Sequence, residues 1–229
     1  MSLLVSKTLL LEIDVQNDFC PAYSFSGEQY PDGALAVQGG GDVVASLNAL
    51  SAAFAQAGAR VAATQDWHPA GHLSFASSHK GRNPGDVVEL EDASKQFLWP
   101  DHCVQGGRGA AFHAGLNLDP VNMIIRKGFR RGLDSYSAFF ENDMKTTTGL
   151  EGWIRGLGID TVVIGGLATD YCVLYSAMDS RMLGFTTIIA EDAIRGVDYP
   201  AGSVEKAVAR MREAGVVFCD SRKIIMELV

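Results

Sequence analysis

Four stretches of helical spacing in this chain, 42–57, 149–157, 169–183 and 200–214, each stop at a glycine (Gly58, Gly158, Gly184, Gly215), and each is followed within a few residues by a short β-branched run. Glycine tolerates the left-handed conformation that ends a helix, so each unit reads as helix, stop, strand. Further runs at 8–15 and 123–126 complete a set of six strands with those at 60–64, 161–165, 186–190 and 216–219. Strands that alternate with helices pair in parallel, and the helices then cover both faces of the sheet. The reading is an α/β chain.

At 229 residues without a repeat or a Pro- or Ser-rich linker, the chain is expected to form a single domain over 1–229. Its formal charge of −8 argues against a nucleic-acid partner, since phosphate-backbone binding needs clustered cations. The one dense basic spot, Arg126, Lys127, Arg130 and Arg131, fits a solvated rim or a small-anion contact, with Arg130 and Arg131 facing solvent. No 18-residue apolar run is present, which argues against a membrane span, and Leu9–Leu11 is too short an apolar core for a secretory signal before Glu12. A cytoplasmic protein is expected. Cys20, Cys103, Cys172 and Cys219 are too scattered for a disulfide framework and read as free thiols.

Two long segments, 20–41 and 66–107, interrupt the rhythm, and both begin at the carboxyl end of an expected strand. Ligands of open α/β sheets bind beyond those ends, so the site is expected where Asp14, Asp66, Lys127 and the Gly165–Gly166 stretch converge. Cys172 falls in the first turn of the helix that begins near Thr169 or Asp170. The positive end of a helix favours a thiolate there and predicts a depressed pKa, although a helix-start cysteine serves equally as a buried hydrophobe. Asp14 ends an apolar strand, a costly place for a carboxylate unless it is paired or open to a cleft. Lys127 ends another strand, and beside a thiol and a carboxylate it favours the anionic form of each. Asp66, His68, His72 and His102 crowd one loop with Trp67 and Trp99. Carboxylate oxygen with imidazole nitrogen suits a divalent transition ion. His79 and His113 stand apart and are assigned to the surface.

The pieces DVQNDF (Asp14), TQDWHPAGHLSF (Asp66, His68), WPDHCVQ (His102), the KG of Lys127, DSYSAF (Tyr136) and GLATDYCV (Cys172), in this order, resemble the nicotinamidase branch of the isochorismatase-like cysteine hydrolases. The resemblance implies a doubly wound parallel sheet of about six strands with helices on both faces. It implies a catalytic triad of Asp14, Lys127 and Cys172, and an oxyanion hole from the N–H groups of Ala168 and Cys172. It further implies a divalent metal held by Asp66, His68 and His102, zinc first with iron or manganese as alternatives; His72 stands at a position that is an outer ligand in some relatives and not in others, and its contact with the metal is left open. The implied substrate is nicotinamide, hydrolysed to nicotinate and ammonia in NAD salvage, with Phe19, Trp99, Tyr136 and Leu167 around its ring. A cis peptide between Leu167 and Ala168 completes the implied site. Rival readings are a ureidoacrylate or carbamoyl-sarcosine amide hydrolase, which generally lacks the metal set, and isochorismatase itself, which lacks the cysteine. A non-catalytic metal-binding or thiol-redox protein is a further rival; a redox role would need a resolving cysteine.

Overall fold

Alternate residues of a strand point to opposite faces, and along the central strands both sets are apolar. Leu10, Val61, Val163 and Ile188 pack on one side of the sheet, while Leu9, Leu11, Ala62, Val162, Ile164 and Ile189 pack on the other. A sheet greasy on both faces must be covered on both, and it is. The computed structural model describes residues 3–91 and 93–228. Its helices are α1 (Val43–Ala57), α2 (Leu150–Gly156), α3 (Leu174–Met182), α4 (Ser203–Glu213) and α5 (Ser221–Met226). Helices α1 and α5 contribute Leu47, Leu50, Phe54 and Ile224 to the first core; α2, α3 and α4 contribute Ile154, Ala177 and Met211 to the second. The apolar spacing of α1 gives it one buried stripe, and it ends on Gly58 at φ +83°, as its sequence predicts.

The strands are β1 (Thr8–Ile13), β2 (Tyr23–Phe25), β3 (Glu28–Tyr30), β4 (Arg60–Asp66), β5 (Val87–Glu89), β6 (Lys95–Phe97), β7 (Met123–Lys127), β8 (Thr161–Leu167), β9 (Thr186–Arg195) and β10 (Val217–Cys219). Six form one sheet in the order β10-β9-β8-β1-β4-β7, with every neighbouring pair parallel. The chain steps from β1 outward through β4 to β7, then returns to the other side of β1 with β8. The switch point between β1 and β8 therefore opens a crevice at the carboxyl ends of the strands. The hairpins β2-β3 and β5-β6 lie in the two long segments and, with α5, are not marked by any periodicity in the sequence. Among the described residues no helix is long and apolar enough to cross a membrane.

Register fixes a second requirement. Gly166 pairs with Ile13 at φ +120°, and a Cβ on it would lie 2.1 Å from the Ile13 carbonyl oxygen. Only glycine allows β8 to run this close to β1 where the two strands reach the crevice.

Glu12 shares the face of Leu10 and is directed at α1, away from the crevice. Burial pushes its pKa up to about 8, a rise that the nearby Ser51 only partly offsets. The contact falls short of hydrogen-bond geometry, since both carboxyl oxygens and Ser51 Oγ lack a partner. Between the ordinary value of 4.5 and about 8 the folded chain binds a proton that the unfolded chain has lost, so stability falls as pH rises through that window, with a slope of up to about 1.4 kcal/mol per pH unit. Urea unfolding at pH 5 and pH 8 should show this loss in the wild type and a clearly smaller loss in Glu12→Gln. Equal losses in the two proteins would contradict the assignment.

Candidate active site

Strand β1 stops at Ile13, two residues short of the stretch its composition predicts, because Asp14 adopts φ +48°. This turn carries the carboxylate under the crevice, where Asp14 is fully buried. Its own N–H donates to Thr64 Oγ1 (3.1 Å) and the Thr64 hydroxyl donates to Asp14 Oδ1 (2.6 Å). The other oxygen faces the ammonium of Lys127 at 2.8 Å. Lys127 closes β7, whose register sets it opposite Asp66 at the end of β4, and the two side chains are paired. The same Nζ lies 3.2 Å from the Ser135 carbonyl oxygen and 3.3 Å from Cys172 Sγ. One buried cation thus touches two carboxylates, a carbonyl and the thiol.

Burial by itself would strip the proton from Lys127, but Asp14 and Asp66 hold its pKa well above the ordinary value. Burial also raises Asp14, with Lys127 pulling it down and Asp66 pushing it further up. For Asp66 burial is outweighed by Lys127 and His68, which keep it ionised. Cys172 departs from its expected state. Burial pushes its thiol well above the usual value, Lys127 opposes this, and Asp14 and Asp66 push it further up. The depressed pKa expected from a helix start is therefore contradicted: desolvation and two carboxylates outweigh the helix end. The opening turn is also of a different kind, a π-helical turn over Thr169–Val173, with α3 beginning only at Leu174. Its Tyr171 and Val173 N–H groups both return to the Ala168 carbonyl, at 3.0 and 3.1 Å. The Leu167–Ala168 peptide before it is cis. Cys172 rests as a thiol within 4.8 Å of a carboxylate oxygen of Asp14.

Asp66, His68 and His102 offer ligand atoms within 4.8 Å of one another, all buried. The Nδ1 atoms of His68 and His102 each donate to a backbone carbonyl, Gly128 and Pro100, at 2.8 Å. This sets both Nε2 atoms toward Asp66 Oδ2, at 3.5 and 3.9 Å. Burial, with His68 beside it, pushes His102 down to about 4, so it is neutral at pH 7. Its Nε2 lone pair then confronts a carboxylate oxygen, an arrangement that a divalent cation between the donors relieves, and the carbonyl partners of Nδ1 are the usual support for such ligands. His72 stands beside them, and with His68 and Asp134 it forms a second set of ligand atoms within 4.8 Å of one another. Its Nδ1 takes the Ser74 hydroxyl (2.8 Å), its Nε2 faces the Leu133 carbonyl (3.2 Å), and its ring stacks on His68 at 4.3 Å.

Over these groups lies a cavity of about 400 Å³, mouth included, lined by Phe19, Trp99 and Tyr136 together with Leu35, Tyr171, Val197, Asp134, Ser135, Ala168 and Cys172. Trp99 donates to the Tyr136 hydroxyl at 3.2 Å and meets Tyr171 edge-on, the ring centroids 4.8 Å apart. Leu167 does not line the cavity; fully buried, it belongs to the core on the α1 side of the sheet. Nor does His113 stand as expected, being buried against Tyr23, whereas Arg130 is exposed as expected while it pairs with the buried Glu141. Gln16 passes unnoticed in the sequence, yet its side chain donates to the Asp66 carbonyl and accepts from the Asp66 N–H, both at 2.8 Å. Thr64 and the Ser135 carbonyl are likewise invisible before folding, because each acts through register or backbone.

The isochorismatase domain matches residues 8–223. A nicotinamidase of Acinetobacter baylyi is 42% identical over 217 residues, covering 95% of this chain and 94% of its own. Among solved structures, PnC1 of L. infantum in complex with nicotinate superposes with a TM-score of 0.79 at 35% identity, covering 100% of this chain and 98% of its own. A pyrazinamidase of Pyrococcus horikoshii in complex with zinc gives 0.72 at 30% identity, covering 93% and 99%.

Gly128 abuts the histidines at φ +62°, and a Cβ there would lie 2.4 Å from His68 Cε1. Gly128→Ala should displace that ring and weaken metal affinity by about tenfold or more. Metal analysis after dialysis against a graded chelator checks this; equal retention by wild type and variant would contradict it.

Proposed function

This chain belongs to the isochorismatase family, and from that premise we propose that it is a cysteine amidohydrolase that converts nicotinamide to nicotinate and ammonia. The observation that carries the proposal is the single ammonium of Lys127 in contact with Asp14, Asp66 and Cys172 beneath an aromatic cavity. The nicotinamidase relative and the nicotinate complex of the L. infantum protein support the choice of substrate.

The residues suggest the steps. Cys172 rests as a neutral thiol and needs a base, and Asp14, its pKa raised by burial against the pull of Lys127, is the base within reach. As Asp14 takes the proton, Sγ attacks the carboxamide carbon, and the carbonyl oxygen becomes an oxyanion held by the N–H groups of Ala168 and Cys172. Such donors contribute on the order of a hundredfold in rate. The C–N bond then breaks as Asp14 returns its proton to the leaving nitrogen, which departs as ammonia and leaves a thioester. Asp14 next deprotonates a water that attacks the thioester, the C–S bond breaks, and the proton restores the thiol. Lys127 keeps its charge throughout and balances whichever partner is anionic. Phe19, Trp99 and Tyr136 supply flat walls for a pyridine ring.

Asp66, His68 and His102 would hold a divalent ion, zinc first by ligand type and by the zinc complex of the Pyrococcus protein, with iron or manganese as alternatives. When bound, such an ion supplies a Lewis-acid contact for a ring nitrogen and so favours a pyridine over a benzene ring. The metal-ligand set also favours this reading over the ureidoacrylate and carbamoyl-sarcosine types. The purified protein should release ammonia from nicotinamide, and Cys172→Ala should lower that rate by at least about a thousandfold. Undiminished ammonia release by the variant would refute the nucleophile.

A further inference from the structure

Two residues before Cys172, Asp170 is buried in the π-helical turn but does not line the cavity and takes no part in the steps above. Its carboxylate reaches across to another segment of the chain. It accepts from the N–H of Val197 at 3.0 Å, from the N–H of Asp198 at 3.0 Å, and from the Ser203 hydroxyl at 2.5 Å at the start of α4. Three donors on one carboxylate make an unusually firm anchor, because charge-assisted hydrogen bonds are about twice as strong as neutral ones. The anchored segment, 196–203, is seated closely: a Cβ on Gly196 would lie 2.2 Å from Val204 Cγ2 and 3.1 Å from Asp170 Oδ1.

The same segment forms part of the cavity wall. Val197 lines the cavity, and the Tyr171 hydroxyl donates to the Tyr199 carbonyl at 2.5 Å. The Tyr199 ring lies 5.9 Å from Phe97, Phe97 4.4 Å from Trp99, and Trp99 4.8 Å from Tyr171. Segment 196–203 is thus a strap that completes a ring of aromatic contacts beside the cavity, and Asp170 fastens the strap to the turn that carries the thiol. The turn itself has separate support, from the Ala168 carbonyl and from Lys127 at Sγ.

We propose that Asp170 is a positioning residue that holds this strap against the cavity and thereby sets how tightly an aromatic amide is gripped, while leaving the thiol chemistry unchanged. The proposal rests on the amidohydrolase reading for its substrate, but the strap can be tested apart from it. Asparagine in place of Asp170 keeps one acceptor oxygen and turns an amide N–H toward the strap's own donors. With nicotinamide, Asp170→Asn should raise KM by about tenfold or more and change kcat by less than about threefold, and Ser203→Ala should shift KM the same way by about threefold. A fall in kcat at unchanged KM, or no change in either variant, overturns the proposal; if Asp170→Asn does not fold, Ser203→Ala carries the same test. Alkylation of Cys172, followed by peptide mass spectrometry, gives the arm that needs no turnover. N-phenylmaleimide should react at least about tenfold faster relative to iodoacetamide in Asp170→Asn, since both reagents enter the same cavity and the bulkier aromatic one is the more hindered by its wall. An unchanged ratio refutes the strap, whereas a wild type inactive on nicotinamide with a raised ratio in the variant refutes the substrate and keeps the strap.

Discussion

A lysine with no exposed surface is the element on which this structure turns. Lys127 neutralises Asp14 and Asp66 together and lies 3.3 Å from the Cys172 thiol. Placing three ionisable groups beneath a sheet is unfavourable for each alone and tolerable only as a set. Two carboxylates around one ammonium leave a net negative cluster, and a thiolate would add to it. That is why burial and the two carboxylates keep the Cys172 thiol above its usual range, and why the proposed mechanism assigns it a neighbouring base, in contrast to cysteines activated by a helix end. The same excess of negative charge, continued through Asp66 to His68 and His102, suits a divalent cation at the outer side of the cluster.

The fold makes this set possible through strand order alone. Asp14, Asp66 and Lys127 come from three parallel strands whose carboxyl ends are adjacent in the sheet, and Cys172 follows a fourth, β8, across the switch point. None of the four is near another in sequence except through this pairing. Gly166 permits β8 to lie against β1, and Gln16, one turn beyond Asp14, fixes the backbone of Asp66 from both sides. The placement of Asp14, Asp66 and Lys127 is thus inherited from sheet register, while the long segments supply His102 and much of the cavity wall.

Much of this could be read before folding because the periodicities are strong. Apolar runs on both faces and glycine stops gave the six parallel strands, and chemistry-bearing residues at strand ends gave the convergence of Asp14, Asp66, Lys127 and Cys172. What sequence could not show was environment. The state of Cys172 depends on two carboxylates brought in by register, which no local rule about helix starts contains. Leu167 and Ala168 are neighbours in sequence, yet of the two Ala168 lines the cavity. His72 lies beside His68, and the partners that surround it, Ser74, Leu133 and Asp134, come from folding rather than from its spacing in the sequence. Asp170 stands where the sequence places the start of a helix, and its carboxylate acts across a gap of more than twenty residues in the chain.

The claim that Lys127 is the shared counter-charge is tested most directly by a double-mutant cycle on folding stability, with Lys127→Met and Asp14→Asn made singly and together. Lys127→Met alone should cost about 3–5 kcal/mol, because it strands two buried carboxylates. Adding Asp14→Asn should then recover at least about 1 kcal/mol, since one of the stranded charges is gone. If the two losses instead add, with the double variant less stable than Lys127→Met, the two groups do not form one charge-balanced unit and the account fails at its centre.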